Sequence, residues 1–374
     1  MMTEVCWGDM KSCNISYQPR FDHIRFLAAL LVFLFHLYHL NYGGWKPNPS
    51  MPWLGWVVEG HAGIGLFFTL SGYLFMTIAL SGGPPRYWAF MRNRFLRIFP
   101  LFVGVFLVAV SVGRDDFRAA DVLYLFFSNI GQAPTSNSFI TGAAWTISVE
   151  FTFYFTFPFL ARFSLQQGWS YLLRLMFLCL LFKLGAYLVT ERSTHMLYST
   201  LVGRFDQFLI GMFLAQAAQK IPAVRDRRLG LVWLLGAGIV MGGLLAVLSS
   251  FASFFRPEPK QLFWLFWPTL EALGWGGVLV AYLGWRGTLP VWIDGFLRRG
   301  GEISYSFYLL HALVLYLLHK LMGPPALFSW GGGNVILLTI LAGGITWFVA
   351  NVSYATIEKP FLDLRTSYTS HRPD

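Results

Sequence analysis

Apolar runs of membrane-spanning length follow one another along almost the whole sequence, beginning with FDHIRFLAALLVFLFHLYHL at residues 21–40. A segment lying in hydrocarbon must satisfy its own backbone hydrogen bonds, which a helix of about 20 residues does. Of the 374 residues, 56% are hydrophobic and 12% are charged, against about 25% charged in a soluble domain. The sequence therefore predicts an all-α, polytopic transmembrane helical bundle of about 10 transmembrane helices. Gly, Pro and charged breaks place the spans at 24–43, 56–80, 98–112, 144–163, 170–190, 197–218, 229–250, 262–285, 302–322 and 334–357. The run DVLYLFFSNI, residues 121–130, is too short to cross and is expected as a helix within the connection 113–143.

Basic residues orient such a bundle, because cytoplasmic loops carry an excess of Lys and Arg. The first twenty residues, MMTEVCWGDMKSCNISYQPR, contain no apolar core of a secretory signal, so the N-terminus is expected in the cytosol. On that assignment, eighteen of the 28 Lys and Arg residues fall on the cytosolic side and seven on the other, while Arg174, Lys183 and Arg204 lie within spans. The expected topology is N-in and C-in. The net charge of +10 and pI near 9.6 then reflect loops facing an anionic leaflet and not a nucleic-acid surface. Cys6, Cys13 and Cys179 offer neither metal-ligand spacing nor a disulfide framework, and no metal is expected.

Ionisable groups inside spans are costly and are read as functional by default. Counted from residue 24 at 1.5 Å per residue, His36 lies about 18 Å deep, just past the middle of a ~30 Å core. Glu150, entering from the other side, falls at nearly the same depth, and His311 in GEISYSFYLLHALVLYLLHK reaches a similar level. An imidazole at mid-depth with a carboxylate to orient it is what general-base activation of a hydroxyl requires. A single buried His is as readily explained by helix packing, so it is the convergence that carries weight. Four arginines without a lysine in RYWAFMRNRFLRIFP, residues 86–100, fit either topological anchoring or bidentate recognition of phosphate. In HAGIGLFFTLSGYLF, residues 61–75, the small residues Gly63, Gly65, Ser71 and Gly72 suit close helix approach. Ser71 lacks the strand–turn–helix setting of a hydrolase nucleophile.

These residues together resemble the acyltransferase-3 family of integral membrane acyltransferases. Arg25 and His36 are similar to the family's basic residue and histidine with ten residues between them, and FFTLSGYLF resembles its FF-x-x-SG-F-L segment. RNRFLRIFP resembles its R-x-x-R motif through Arg94 and Arg97. WTISVE resembles W-S-x-x-x-E through Trp145 and Glu150, with Thr146 where Ser is usual. RFDQFLIGMFLA, ISYSFYLLH and IEKPF are similar to later blocks.

The resemblance implies a cytosolic segment 1–20, a membrane acyltransferase domain 21–363 and a cytosolic tail 364–374. It implies an acyl-CoA donor, acetyl-CoA first, a carbohydrate acceptor and contact with membrane lipid in a bacterial inner membrane. Arg25, Arg94 and Arg97 would hold the CoA phosphates, His36 would act as base, and Glu150 would orient or support the imidazole. Trp145, Ser71, Arg204, Asp206, Tyr305 and His311 are expected to contact substrate or to support those groups. Family members often carry an extracytoplasmic hydrolase-like domain, for which no room is expected after residue 363, so a separate transfer protein is an expected partner. The rival reading is a proton-coupled transporter or flippase for a lipid-linked sugar, since mid-membrane His and Glu also build proton relays.

Overall fold

The structure, a computed structural model, describes residues 14–41, 44, 54–112, 145–220, 227–252, 260–322 and 331–369. The expected helix at 121–130, the connection around it, Cys6 and Cys13 lie outside these residues. The described chain is helical: α1 Pro19–Asn41, α2 Gly63–Gly82, α3 Tyr87–Val112, α4 Trp145–Gln167, α5 Trp169–Val189, α6 Leu201–Lys220, α7 Arg227–Val247, α8 Phe263–Gly284, α9 Val291–Glu302, α10 Ser304–Met322 and α11 Gly331–Ser353. Two short helical turns, Gly55–Val58 and Gly60–Ala62, precede α2. A π-helical turn, Tyr354–Glu358, carries α11 on into Lys359–Leu362.

Among the described residues, six helical segments are long and apolar enough to cross a membrane, and α9 with α10, bent by 75° at Ile303, makes a seventh if the pair is one span. Each of the ten runs expected from sequence coincides with a helix. However, α4, α6 and α8 fall outside the six. These three carry the buried polar residues Glu150, Arg204, Asp206 and Glu271, which lower their mean hydropathy while they face protein rather than lipid. A helix enclosed by other helices need not be apolar by composition.

The centre of the bundle is α1, which touches α2, α8, α9, α10 and α11. It is buried on nearly every side, as its all-round apolar character requires. At the periphery, α5 buries only Leu172 and Lys183. Its remaining surface, including Phe177, Phe182 and Val189, is bare and apolar, the character of a face meant for lipid.

The closest helix crossing is α2 against α6. A Cβ on Gly72 would lie 2.1 Å from the Phe208 carbonyl oxygen, and one on Gly211 would lie 2.1 Å from the Thr69 carbonyl oxygen. Of the small residues expected to allow close approach, Gly72 does so at this crossing, where backbone meets backbone. Gly211→Ala cannot be absorbed by a side-chain shift. It is expected to destabilise the bundle by about 1–3 kcal/mol, read as a lowered thermal unfolding midpoint in detergent, whereas Gly243→Ala, with nothing within 4 Å of the added Cβ, should leave the midpoint unchanged.

Candidate active site

Three layers of polar groups are stacked along α1. The first surrounds its N-terminal end, where a cavity of about 160 Å³ is lined by Asp22 and Arg25 of α1, Asn93, Arg94 and Arg97 of α3, Glu302, Tyr354 and Arg365. The three arginines expected from sequence are thus brought together, with a fourth, Arg365, beyond the last helix. Arg25 is paired with Asp22 at 2.8 Å, and the second oxygen of Asp22 accepts from the Tyr17 hydroxyl at 2.7 Å. Among the described residues Arg94, Arg97 and Arg365 form no ion pair with a carboxylate. Arg94 lies over the rings of Phe75, Phe90 and Tyr154, and its Nε is buried without a hydrogen-bond partner. Burial, together with the neighbouring Arg97 and Arg94 guanidinium groups, pushes Arg365 down to about 10.

Arg365 reaches this cavity because the chain after the last helix is stitched to α3. The Asn93 amide donates to the Thr366 carbonyl at 2.6 Å and its oxygen accepts from the Thr366 N–H at 3.2 Å. The Arg86 N–H donates to Tyr368 O at 2.8 Å. Asn93 therefore has a positioning role that no motif in the sequence marks.

The second layer is a narrow apolar cavity of about 30 Å³, walled by Ala28, Ala29 and Val32 of α1, Gly63 and Phe67 of α2, Thr146 and Glu150 of α4, and Tyr305 and Tyr308 of α10. The small side chains Ala28 and Ala29 give α1 a slot directly beyond Arg25. Glu150 is tied down by Ser71, whose hydroxyl donates at 3.2 Å, and by the Tyr154 hydroxyl. Tyr305 donates to the Ile98 carbonyl at 2.9 Å, and Thr146 and Tyr308 share a hydrogen bond of 3.0 Å. The carboxylate expected to orient His36 is thus bonded to Ser71 and Tyr154.

The third layer is a histidine pair. His36 Nδ1 lies 2.8 Å from the Val32 carbonyl and 3.1 Å from His311 Nε2, while His311 Nδ1 lies against the Tyr308 carbonyl. A carbonyl only accepts, so both Nδ1 atoms carry protons. His311 Nε2 is then the acceptor of a shared His36 Nδ1–H, and the lone pair of His36 is on Nε2. The Val32 carbonyl of its own helix fixes the tautomer of His36, and His311, which the sequence places at the right depth without showing the contact, supplies a second acceptor for the same Nδ1–H.

The remaining candidates lie to one side. Arg204, fully buried, pairs with Glu271 at 2.5 Å and donates to the Tyr198 carbonyl at 2.6 Å. Gln207 donates to the same Glu271 oxygen at 2.6 Å. Asp206 pairs with Lys183 at 2.7 Å and accepts from Thr269, which anchors the otherwise lipid-facing α5. Arg204 and Asp206 thus meet protein groups from α5, α8 and the short helix Ser193–Ser199. Trp145 is buried at the start of α4, its ring 5.4 Å from that of Tyr198.

Comparison with known proteins follows the same outline. Residues 18–353 match the family described as "Acyltransferase domain", the acyltransferase-3 family. Nodulation protein 10 of Rhizobium leguminosarum bv. viciae is 24% identical over 393 residues, which cover 98% of this chain and 99% of that protein. Acyltransferase MdmB of Streptomyces mycarofaciens is 24% identical over 381 residues, covering 92% of each. ORF330 of Acidianus two-tailed virus, whose name proposes an acetyltransferase, is 28% identical over 192 residues, 49% of this chain and 53% of the viral protein. No solved structure shows a significant match.

Proposed function

Since the chain belongs to the acyltransferase-3 family of membrane acyltransferases, we propose that it transfers an acyl group, acetyl first, from acyl-CoA to a hydroxyl of a carbohydrate. The observation that carries this reading is the arginine cavity. Among the described residues, Arg25, Arg94, Arg97 and Arg365 line it against two carboxylates, Asp22 and Glu302, and such an excess of guanidinium is stabilised by an anion. Guanidinium forks match phosphate oxygens bidentately, and the phosphates of CoA supply them. The pantetheine arm then follows the slot past Ala28, Ala29 and Val32, where Glu150 is an acceptor for its amide N–H groups. Arg25 and His36 are eleven residues apart, about 16.5 Å of helix rise, the scale of that arm.

At the end of the slot, His36 Nε2 takes the proton from the acceptor hydroxyl as its oxygen attacks the thioester carbon. The C–S bond breaks, the ester forms, and the proton passes from His36 to the departing thiolate. No net proton is consumed. The Val32 carbonyl and His311, both accepting the Nδ1–H, keep His36 in the tautomer with its lone pair on Nε2. In this reading the protein lies N-in and C-in, as about ten spans, in a bacterial inner membrane. The donor binds from the cytosol, and lipid or a separate extracytoplasmic transfer protein helps present the acceptor. A transporter reading has no comparable use for a cavity in which three of four arginines form no ion pair with a carboxylate among the described residues.

The test is binding of acetyl-CoA to purified protein. Wild type should bind saturably. Arg94→Lys with Arg97→Lys, which keeps the charge but loses the fork, should weaken binding at least tenfold. Equal affinity in the double variant would reduce these arginines to topological anchors, and no binding by wild type would remove the CoA-dependent reading.

A further inference from the structure

On the far side of His36 from the arginine cavity is a second buried acid–imidazole pair that the chemistry above does not use. Glu59 is fully buried between the two short helical turns ahead of α2, and His61 beside it is 1% exposed. Glu59 Oε2 accepts from His61 Nε2–H at 3.0 Å. The other oxygen, Oε1, is buried with no hydrogen-bond partner. A buried carboxylate oxygen without a hydrogen-bond donor is costly, so a hydroxyl that reaches it is bound favourably.

The surroundings say what kind of donor fits. His61 meets the Tyr198 ring at 5.2 Å, and Tyr198 packs against Trp145 at 5.4 Å and Trp264 at 5.7 Å. Phe35 brings the pair close to the reacting imidazole, with its ring 5.0 Å from His36 and 5.3 Å from His61. His39, three residues and about 4.5 Å of rise beyond His36, fixes the segment by facing the Val58 carbonyl at 3.1 Å. A carboxylate acceptor among aromatic faces suits a molecule with hydroxyl groups on an otherwise C–H-rich ring.

We infer that Glu59, held by His61, binds a hydroxyl of the acceptor next to the one that is acylated, which makes the acceptor a polyol of the carbohydrate class approaching from the side opposite the donor. The inference rests on the acyltransferase reading. A site built to hydrogen-bond a hydroxyl discriminates strongly against an analogue lacking it, and a charged acceptor binds that hydroxyl more strongly than an amide does.

The experiment uses detergent-solubilised full-length protein, where both faces are accessible, with acetyl-CoA as donor and a panel of methyl hexopyranosides as acceptor probes. Wild type should acetylate at least one, and Glu59→Gln should raise its KM at least tenfold while kcat stays within about threefold and acetyl-CoA binding within twofold. His61→Gln, which removes the imidazole that holds the carboxylate, should raise the same KM severalfold and serves as the second variant if Glu59→Gln does not fold. An unchanged KM in both variants overturns the inference. So does a fall in donor binding and unfolding temperature without a KM effect, which is the signature of a packing role. Wild type that binds acetyl-CoA but acylates none of the probes overturns the polyol assignment and leaves the donor reading standing, whereas absence of acetyl-CoA binding overturns the donor reading and this inference with it.

Discussion

His36→Ala is expected to lower acyl transfer about 10²–10⁴-fold, the range of a positioned general base, while leaving acetyl-CoA affinity within twofold of wild type. The separation follows from geometry. The donor's charged end would sit among Arg25, Arg94, Arg97 and Arg365 at the N-terminal end of α1, about 16.5 Å of helix rise from the imidazole, so removing the ring leaves the phosphate site untouched. His311 supplies an internal control, since its Nε2 lies 3.1 Å from His36 Nδ1. His311→Phe removes the second acceptor of the Nδ1–H, leaving the Val32 carbonyl, and should reduce kcat by less than His36→Ala does, without altering the donor Kd. His311→Gln keeps an acceptor oxygen and should recover part of the loss. Full transfer by His36→Ala would place the base elsewhere, and a parallel collapse of donor binding would show a structural role for the ring instead.

The largest effect on stability is expected at Arg204 and Glu271. Both side chains are fully buried and 2.5 Å apart, and removing one partner of such a pair leaves an uncompensated charge, at a cost of about 3–5 kcal/mol. Arg204→Met should therefore lower the unfolding midpoint in detergent more than any other single substitution considered. The pair also ties together α6, α8 and the chain around Tyr198 through the Arg204 Nε–H bond at 2.6 Å. The double variant Arg204→Met with Glu271→Leu should recover much of the loss, because a buried pair replaced by apolar groups of similar volume is often neutral. If Arg204→Met unfolds at the wild-type temperature, the network is not holding the bundle. Gly65 belongs to the same unit, since a Cβ there would lie 2.5 Å from Glu271 Oε2.

Much of this arrangement was legible along the chain. The ten apolar runs all became helices, because hydrocarbon-length apolar segments have few alternatives to helix. Arg25 and His36 could be related by counting along one helix, and the arginine pair of α3 stands in a single motif. His311 was visible as a histidine at the right depth. Glu150 and Ser71, singled out in separate segments of the sequence, turn out to share one hydrogen bond. Arg365, Asn93, Glu59, Glu271 and Lys183 were not marked as site residues. For Lys183, Glu271, Asn93 and Arg365 the significance lies in partners 23 to 340 positions away, from Asp206 beside Lys183 at one extreme to Arg25 across the cavity from Arg365 at the other. The nearest available signal was the Glu59–His61 pair at the head of the second apolar run.

The sequence by itself determined the class of fold, the positions of the helices and the presence of costly polar groups inside them, because hydropathy and helix rise are local properties that one segment carries alone. Only the tertiary structure decided which polar groups meet. It paired His36 with His311, gave Glu150 to Ser71 and Tyr154, closed the arginine cavity with Arg365, and left one oxygen of Glu59 unbonded. Those outcomes depend on how each helix is rotated about its axis and which neighbour it faces, and in a bundle whose surfaces are apolar both toward lipid and toward protein, composition does not encode that choice.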